Sequence, residues 1–398
     1  MRNRQILRAS PGIGQLAGGL GVSKALYFFY FAGIGAFFPF IAVYYRSIGV
    51  SGVEIGVIST VSPLLFIISM LFWGILNDWF GRTRLLLGVA ILGSVLSALA
   101  ISTVTAYGWL LILVCLFSFF SSSQAPLLDS ICLSLLGEQR ERYGSQRVWG
   151  TYGFILTSSG LGFVYQRLGL HYLFFGYAGV MAFLLFTSTA LPRQTIRIGG
   201  SPFLGLSQMV RRPLWVIFAA STFMTWLAVS GMITFVGITI KTLGGADSLV
   251  GLAWTAAATA EIPVMIFGSW LLRKTGPIKL VMLSFTAYAI RMFLYSIAPS
   301  PGWIPVINLL QSVTFATFWI GAVNYVSELA PENLKTTAQS LLFSMMNLAS
   351  LFGGLGSGWL FDTVGPQGMF RILSLFCVLA LSFFSGGQIF LRNGKGST

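Results

Sequence analysis

Runs of about 20 apolar residues recur along nearly the whole chain, separated by short polar, basic or glycine-containing turns. A helix rising 1.5 Å per residue needs that length to cross a hydrocarbon core roughly 30 Å thick. Twelve membrane spans are predicted, at about 23–45, 54–77, 84–104, 108–135, 142–166, 171–191, 214–240, 249–272, 279–298, 303–328, 335–361 and 368–391. The first run is too long for a signal-peptide core and reads as a retained helix, preceded by Arg2, Arg4, Arg8 and a glycine-rich spacer to Gly21. The longest loop, Pro192 to Pro213, carries four arginines and splits the spans into two sets of six. The expected organisation is a six-helix half over 1–192, a linker over 193–213 lying near anionic headgroups, and a second six-helix half over 214–398.

The halves repeat. Gly56 and Gly251, each opening a span, lie 195 residues apart, as do the turn glycines Gly81 and Gly276. Gly162-x6-Gly169 and Gly358-x6-Gly365 are offset by 196. Several matches at one offset predict duplicated halves, the parallel repeat of some transporters. Ser51-x-x-Glu54 has the form of a capping box, and Asp247-Ser248 supplies a similar polar start.

Composition and charge narrow the class. Hydrophobic residues make up 56% of 398, charged residues 9%, and mean hydropathy is +0.83, which describes a polytopic all-α membrane protein. The net charge of +14 is topological and does not point to nucleic acid. Of 24 lysines and arginines, 18 fall on one set of turns and tails, four (Arg46, Arg167, Lys241, Arg371) on the other, and Arg147 and Arg291 lie inside spans. Both termini are therefore expected in the cytoplasm, with the chain in the inner (plasma) membrane. Cys115, Cys132 and Cys377 sit in apolar runs as small core residues, and the single His171 excludes a multi-histidine metal site. No P-loop pattern is present, so neither ATP drive nor any cofactor is expected.

Ionisable residues inside spans are costly and by default mark a substrate or ion pathway. Asp129 and Arg147 lie nine residues either side of Glu138 in the turn between spans 4 and 5, so a helical hairpin sets them at equal depth, roughly 8–13 Å in. Glu261 and Arg291 flank Gly276 by fifteen residues each, roughly 15–20 Å from that turn and near mid-membrane. An acid beside an arginine offers acceptors and a donor fork to a solute, and a buried carboxylate can carry a proton. Asn308, Gln311 and Thr314 share one face at i, i+3, i+6. Gln124, Asn324 and Asn347 are further polar span residues, and Asn324 stands 195 residues after Asp129 as its pseudo-symmetric counterpart. The aromatic run Tyr27–Phe31 covers every helix face, and Trp226 and Trp319 are further cavity candidates; Glu328 reads as a boundary residue.

The turn after span 2 reads Gly74-I-L-N-Asp78-W-F-Gly81-Arg82-T-Arg84. It resembles the signature loop of the major facilitator superfamily, and twelve spans with a central basic loop extend the resemblance over the whole chain. The implied fold is the two-halved major facilitator fold, and the implied role of Gly74, Asp78, Gly81, Arg82 and Arg84 is gating: Gly74 for close helix approach, Asp78 as a cap or cation partner, Gly81 for a tight turn. Asp129 and Arg147, the latter within Y-G-S-Q-R-V-W-G-T-Y-G-F, resemble the lactose and phenylpropionate permease group. That resemblance implies that Asp129 and Arg147 bind substrate and that Phe154 stacks on it. The charged triad of the lactose permease is absent, with Asn308, Gln311 and Thr314 in that region, so its proton relay does not carry over. Glu261 and Asp129 remain as deep carboxylates, with Arg291 beside Glu261.

The expectation is a monomeric, proton-coupled symporter of a small organic solute (a sugar, nucleoside or aromatic acid) working by alternating access. Asp129, Arg147, Phe154, Gln311, Asn308 and Asn324 would contact substrate, and Glu261, Arg291 and Asp129 would couple protons. Two alternatives fit the same residues: a proton-driven exporter, and a non-transporting receptor or intramembrane enzyme, the enzyme lacking a nucleophile–base or metal constellation.

Overall fold

The apolar runs fold as helices because a lipid-facing backbone must satisfy its own hydrogen bonds. The computed structural model describes residues 13–137, 139, 142–191, 212–331 and 334–393. Glu138, Arg140, the N-terminal arginines, linker residues 192–211, Lys395 and the side chains of Asp78, Lys335 and Arg392 lie outside the described residues. The elements are α1 (Ile13–Ser47), α2 (Gly52–Phe80), α3 (Thr83–Ile101), α4 (Tyr107–Ser121), α5 (Gln124–Leu136), α6 (Tyr143–Leu168), α7 (Leu173–Ser188), α8 (Pro213–Thr242), α9 (Asp247–Thr275), α10 (Pro277–Ser296), α11 (Trp303–Asn308), α12 (Thr317–Leu329) and α13 (Lys335–Asn393). Among the described residues, nine helical stretches are long and apolar enough to cross a membrane. The chain is an integral membrane protein.

Several boundaries differ from the sequence reading for local reasons. The glycine-rich spacer is helical from Ile13, so α1 runs across glycines that each cost about 1 kcal/mol. The fourth span breaks at Ser122–Ser123, where Ser122 Oγ donates to the Phe119 carbonyl (2.9 Å) and Ser123 Oγ to that of Phe120 (3.4 Å). Such back-bonding competes with the helix ladder. The tenth span divides into α11, a π-helical turn over Ser312–Ala316, and α12. The last two spans form one element bent at Gly365, whose φ of +72° only glycine takes cheaply.

Helices α1–α7 pack on one another, with α1 against α6 and α7, and α8–α13 form a second group, with α13 against α8 and α10. The groups meet along two crossings, α2 with α13 and α6 with α9, and α1 also touches α8 and α9. Both crossings tighten at the end of the bundle where α1 turns into α2. A Cβ on Gly56 would stand 2.6 Å from the Gly354 carbonyl oxygen, and one on Gly251 would overlap that of Ser158. Ser158 and Thr255 hydroxyls bond at 2.8 Å, and Thr60 Oγ1 donates to the Leu351 carbonyl (2.6 Å). Past these contacts the same helices carry exposed apolar side chains, Ile68 and Ile75 on α2 and Ile266 and Trp270 on α9.

Candidate functional site

Two polar clusters occupy the span interiors, and in both the acid and arginine share a neutral intermediary. The ion pairs described are Arg46–Asp362 and Lys241–Asp247; neither predicted pair is among them. In the first cluster Asp129 of α5 accepts from the Tyr27 hydroxyl of α1 (2.6 Å) and from the Tyr143 hydroxyl of α6 (2.9 Å). Arg147 Nη1 donates to Tyr143 (3.1 Å), and the guanidinium lies 6.0 Å from the Phe31 ring centroid. Tyr143 precedes Arg147 by one helical turn, so its hydroxyl lies between the two charges. Arg147 is exposed and Asp129 half-buried. Donor capacity therefore remains open on the arginine side.

The second cluster is larger and drier. Arg291 of α10 is 2% exposed, so each of its donors needs a partner. Its Nε donates to the Tyr295 hydroxyl (3.0 Å), Nη2 to Asn308 Oδ1 (2.9 Å), and Nη1 to Thr314 Oγ1 (3.0 Å) and to Gln311 Oε1. The Gln311 amide in turn donates to Glu261 Oε1 of α9 (2.8 Å). Tyr295 also donates to Asn308 Oδ1, and Asn308 Nδ2 to the Ala253 carbonyl (2.7 Å). The row Asn308, Gln311, Thr314 thus converges on one guanidinium. The π-helical turn carries Thr314, whose carbonyl accepts from Ser284 Oγ of α10 at 2.7 Å. Single π turns recur at functional sites.

A cavity of about 570 Å³ lies between the two helix groups. Tyr30, Phe38 and Phe117 line it from the first group, and Ser230, Thr234 and Asn347 from the second. Asp129, Arg147, Phe154, Glu261 and Arg291 are not among its lining residues. Gln124 reaches its wall but bonds Ser94 Oγ (2.9 Å) and the Ala90 carbonyl (3.2 Å), tying α5 to α3.

Other predicted residues fall elsewhere. Asn324 donates to the Ile320 carbonyl of its own helix (2.8 Å) and joins neither cluster. Phe154 is half-buried on α6, its carbonyl against Gly35 of α1. Trp226 packs in the core on Phe318 (centroids 4.7 Å apart), Trp319 stacks on Phe315, and Glu328 is exposed near the end of α12. In the signature turn Gly81 takes φ +59° and caps α2, its N–H bonding the Asn77 carbonyl (2.9 Å). Arg82 is exposed, and Arg84 donates to the carbonyl of Leu191, three residues past the end of α7 (3.3 Å). Gly74 does not mediate a close approach here: among the described residues no atom comes within 4 Å of where its Cβ would stand, because α2 and α13 make their tight contact at the other end. Sequence reasoning missed Tyr143 and Tyr295, and named Tyr27 only within the aromatic run. The i, i+4 spacing of Tyr143 to Arg147 and of Arg291 to Tyr295 was the available signal; no spacing ties Tyr27, on a distant helix, to Asp129.

Comparison with known proteins agrees with this architecture. The model of the MFS_1 like family matches residues 22–372. The chain is 27% identical over 348 residues to the maltose permease of Geobacillus stearothermophilus, covering 86% of this chain and 87% of that one. It is 24% identical over 369 residues to the probable 3-phenylpropionic acid transporter of Escherichia coli (strain K12), covering 89% and 94%. Among solved structures, the nucleoside transporter NupG superposes with a TM-score of 0.83 at 17% identity, covering 93% of this chain and 98% of that one, a likeness of fold.

Proposed function

The chain belongs to the MFS_1-like family and is a membrane transporter rather than an enzyme; we propose that it is a secondary active transporter that imports a small organic solute together with a proton. The relatives named above carry a sugar, an aromatic acid and a nucleoside in their names, and the solute belongs to one of those classes. Asp129, Arg147, Phe154, Asn308, Gln311 and Asn324 are the proposed substrate contacts, with Glu261, Arg291 and Asp129 in proton coupling. The observation that carries this reading is the Glu261–Gln311–Arg291 bridge. A carboxylate held by an amide N–H, with its arginine engaged elsewhere, takes a proton without an ion pair having to break.

The proposed architecture is twelve helices in two pseudo-symmetric halves, 1–192 and 214–398, joined by a cytoplasmic linker over 193–213. The nine apolar stretches support it: Ala338–Phe390 counts twice at the Gly365 bend, and α2 and α6 are long enough at 29 and 26 residues to complete the set. With both termini in the cytoplasm, closure at the α1–α2 end corresponds to a state open inward, and the Gly74–Arg84 turn gates the opposite end. The protein works as a monomer in the inner (plasma) membrane.

The test is proton uptake in proteoliposomes on adding sugars, nucleosides or aromatic acids, for wild type and Glu261→Gln. One solute should alkalinise the medium with wild type and not with the variant. Solute entry without proton movement in either protein would exclude coupling.

A further inference from the structure

We propose that Asp362 is the latch that holds the two helix groups shut at the α1–α2 end, by capping the N-terminus of α2 from across the interface. The inference rests on the alternating-access reading above.

The first N–H groups of any helix lack intrahelical partners. In α2 three consecutive ones are satisfied by side chains. Ser51 Oγ accepts from Glu54 N (3.2 Å), a cap from within its own segment. The other two are met from α13: Asp362 Oδ1 accepts from Gly52 N (2.9 Å) and Oδ2 from Val53 N (2.8 Å). Both carboxylate oxygens are used, on adjacent amides at the positive end of a 29-residue helix. Arg46 Nη1 stands 3.8 Å from Oδ1 as a weaker second attraction. Gly52 is small for this purpose, because a Cβ there would sit 2.6 Å from Asp362 Oδ1 and 2.9 Å from the Gly358 carbonyl oxygen.

The other crossing is built differently. The repeat offset of 195 takes Arg46 to Lys241 and Gly52 to Asp247. There the acid sits at the start of α9 itself and pairs with Lys241 of α8 (2.8 Å), within one helix group. An offset of 196 takes Gln166 to Asp362. The α6–α9 crossing therefore joins the groups through backbone contact and the Ser158–Thr255 hydroxyls, with no described carboxylate reaching across. One crossing carries a charged clasp and its pseudo-symmetric mate does not, so parting the groups must break the Asp362 cap. The side chain of Asp362 is 27% exposed, so water replaces the lost partners as the clasp opens.

The test is a distance measurement on the full chain, with Cys115, Cys132 and Cys377 replaced by alanine and spin labels on Ser47→Cys and Val364→Cys. Both positions are exposed, one on each side of the clasp. Asp362→Ala should lower the ratio of short-distance to long-distance populations about tenfold, the equivalent of about 1.4 kcal/mol, and Asp362→Asn should lower it less. Asp247→Asn should leave the distribution unchanged. Should Asp362→Ala fail to fold, Gly52→Ala, which displaces the carboxylate, must give the same shift. A distribution unaltered by Asp362→Ala or Gly52→Ala, or an equal shift from Asp247→Asn, overturns the latch. Solute uptake by the same proteins is read separately: an unlabelled parent that moves no solute removes the transport reading without touching the distance result.

Discussion

Glu261 and Arg291 do not touch; Gln311 stands between them, its amide donating to the carboxylate at 2.8 Å while its carbonyl accepts from the guanidinium. Arg291 keeps Asn308, Thr314 and Tyr295 without it, whereas Gln311 is the one described hydrogen-bond partner of Glu261. Gln311→Leu should therefore act on the acid and spare the arginine. The expected outcome is a fall of about tenfold in the initial rate of proton-driven uptake, the scale of one charge-assisted hydrogen bond, with equilibrium solute exchange at high concentration retained. Equal losses in both assays would leave Gln311 with its substrate contact alone and no part in proton coupling.

Replacing Arg291 should cost stability first. Arg291→Met leaves four polar side chains facing a buried position without their shared donor. Removing one member of such a network costs about 3–5 kcal/mol, and the unfolding temperature in detergent should fall by several degrees. Arg291→Lys should recover only part of it, since an ammonium cannot reproduce the planar fork. A protein of unchanged Tm would mean that water fills the site.

Tyr143→Phe isolates the first cluster. It removes one hydroxyl that links Asp129 to Arg147 while Tyr27 still donates to the acid. Arg147 is exposed, so little stability is at stake. The KM for solute should rise about tenfold at constant Tm if Asp129 and Arg147 bind substrate as a positioned pair. An unchanged KM would move the substrate away from this cluster.

Much of this was legible in the sequence, because helix spacing and repeat offsets are one-dimensional properties. The i, i+3, i+6 row of Asn308, Gln311 and Thr314 does meet a single guanidinium. Equal distance from a turn does bring Asp129 near Arg147 and Glu261 near Arg291. What spacing did not show is that Tyr143 and Gln311 stand between the charges. Whether an acid and a base at one depth touch or are bridged depends on side-chain direction and on neighbouring elements, as with Gln311 between Glu261 of α9 and Arg291 of α10. Breaks at Ser122–Ser123 and at the π turn are similarly local, set by hydroxyls competing for carbonyls inside runs that read as continuous.

The repeated glycines yield the sharpest structural prediction. Gly56 and Gly251, 195 residues apart, each sit where one helix group meets the backbone of the other, Gly56 against Gly354 and Gly251 against Ser158. Gly162 and Gly358 are the matching pair on the partner helices, Gly162 near Ser248 and Gly358 against Gly52. A side chain at either Gly56 or Gly251 would hold the groups apart without disturbing helix formation within a group. Gly56→Leu and Gly251→Leu should therefore fold, lose closure at the α1–α2 end and stop transport. With the native cysteines replaced, Ser59→Cys in the cavity wall should react with a membrane-impermeant maleimide from that end in both leucine variants and be protected in the parent. Protection in one variant but not the other would mean that the two crossings do not open together, and protection in both would show that these contacts do not gate the cavity.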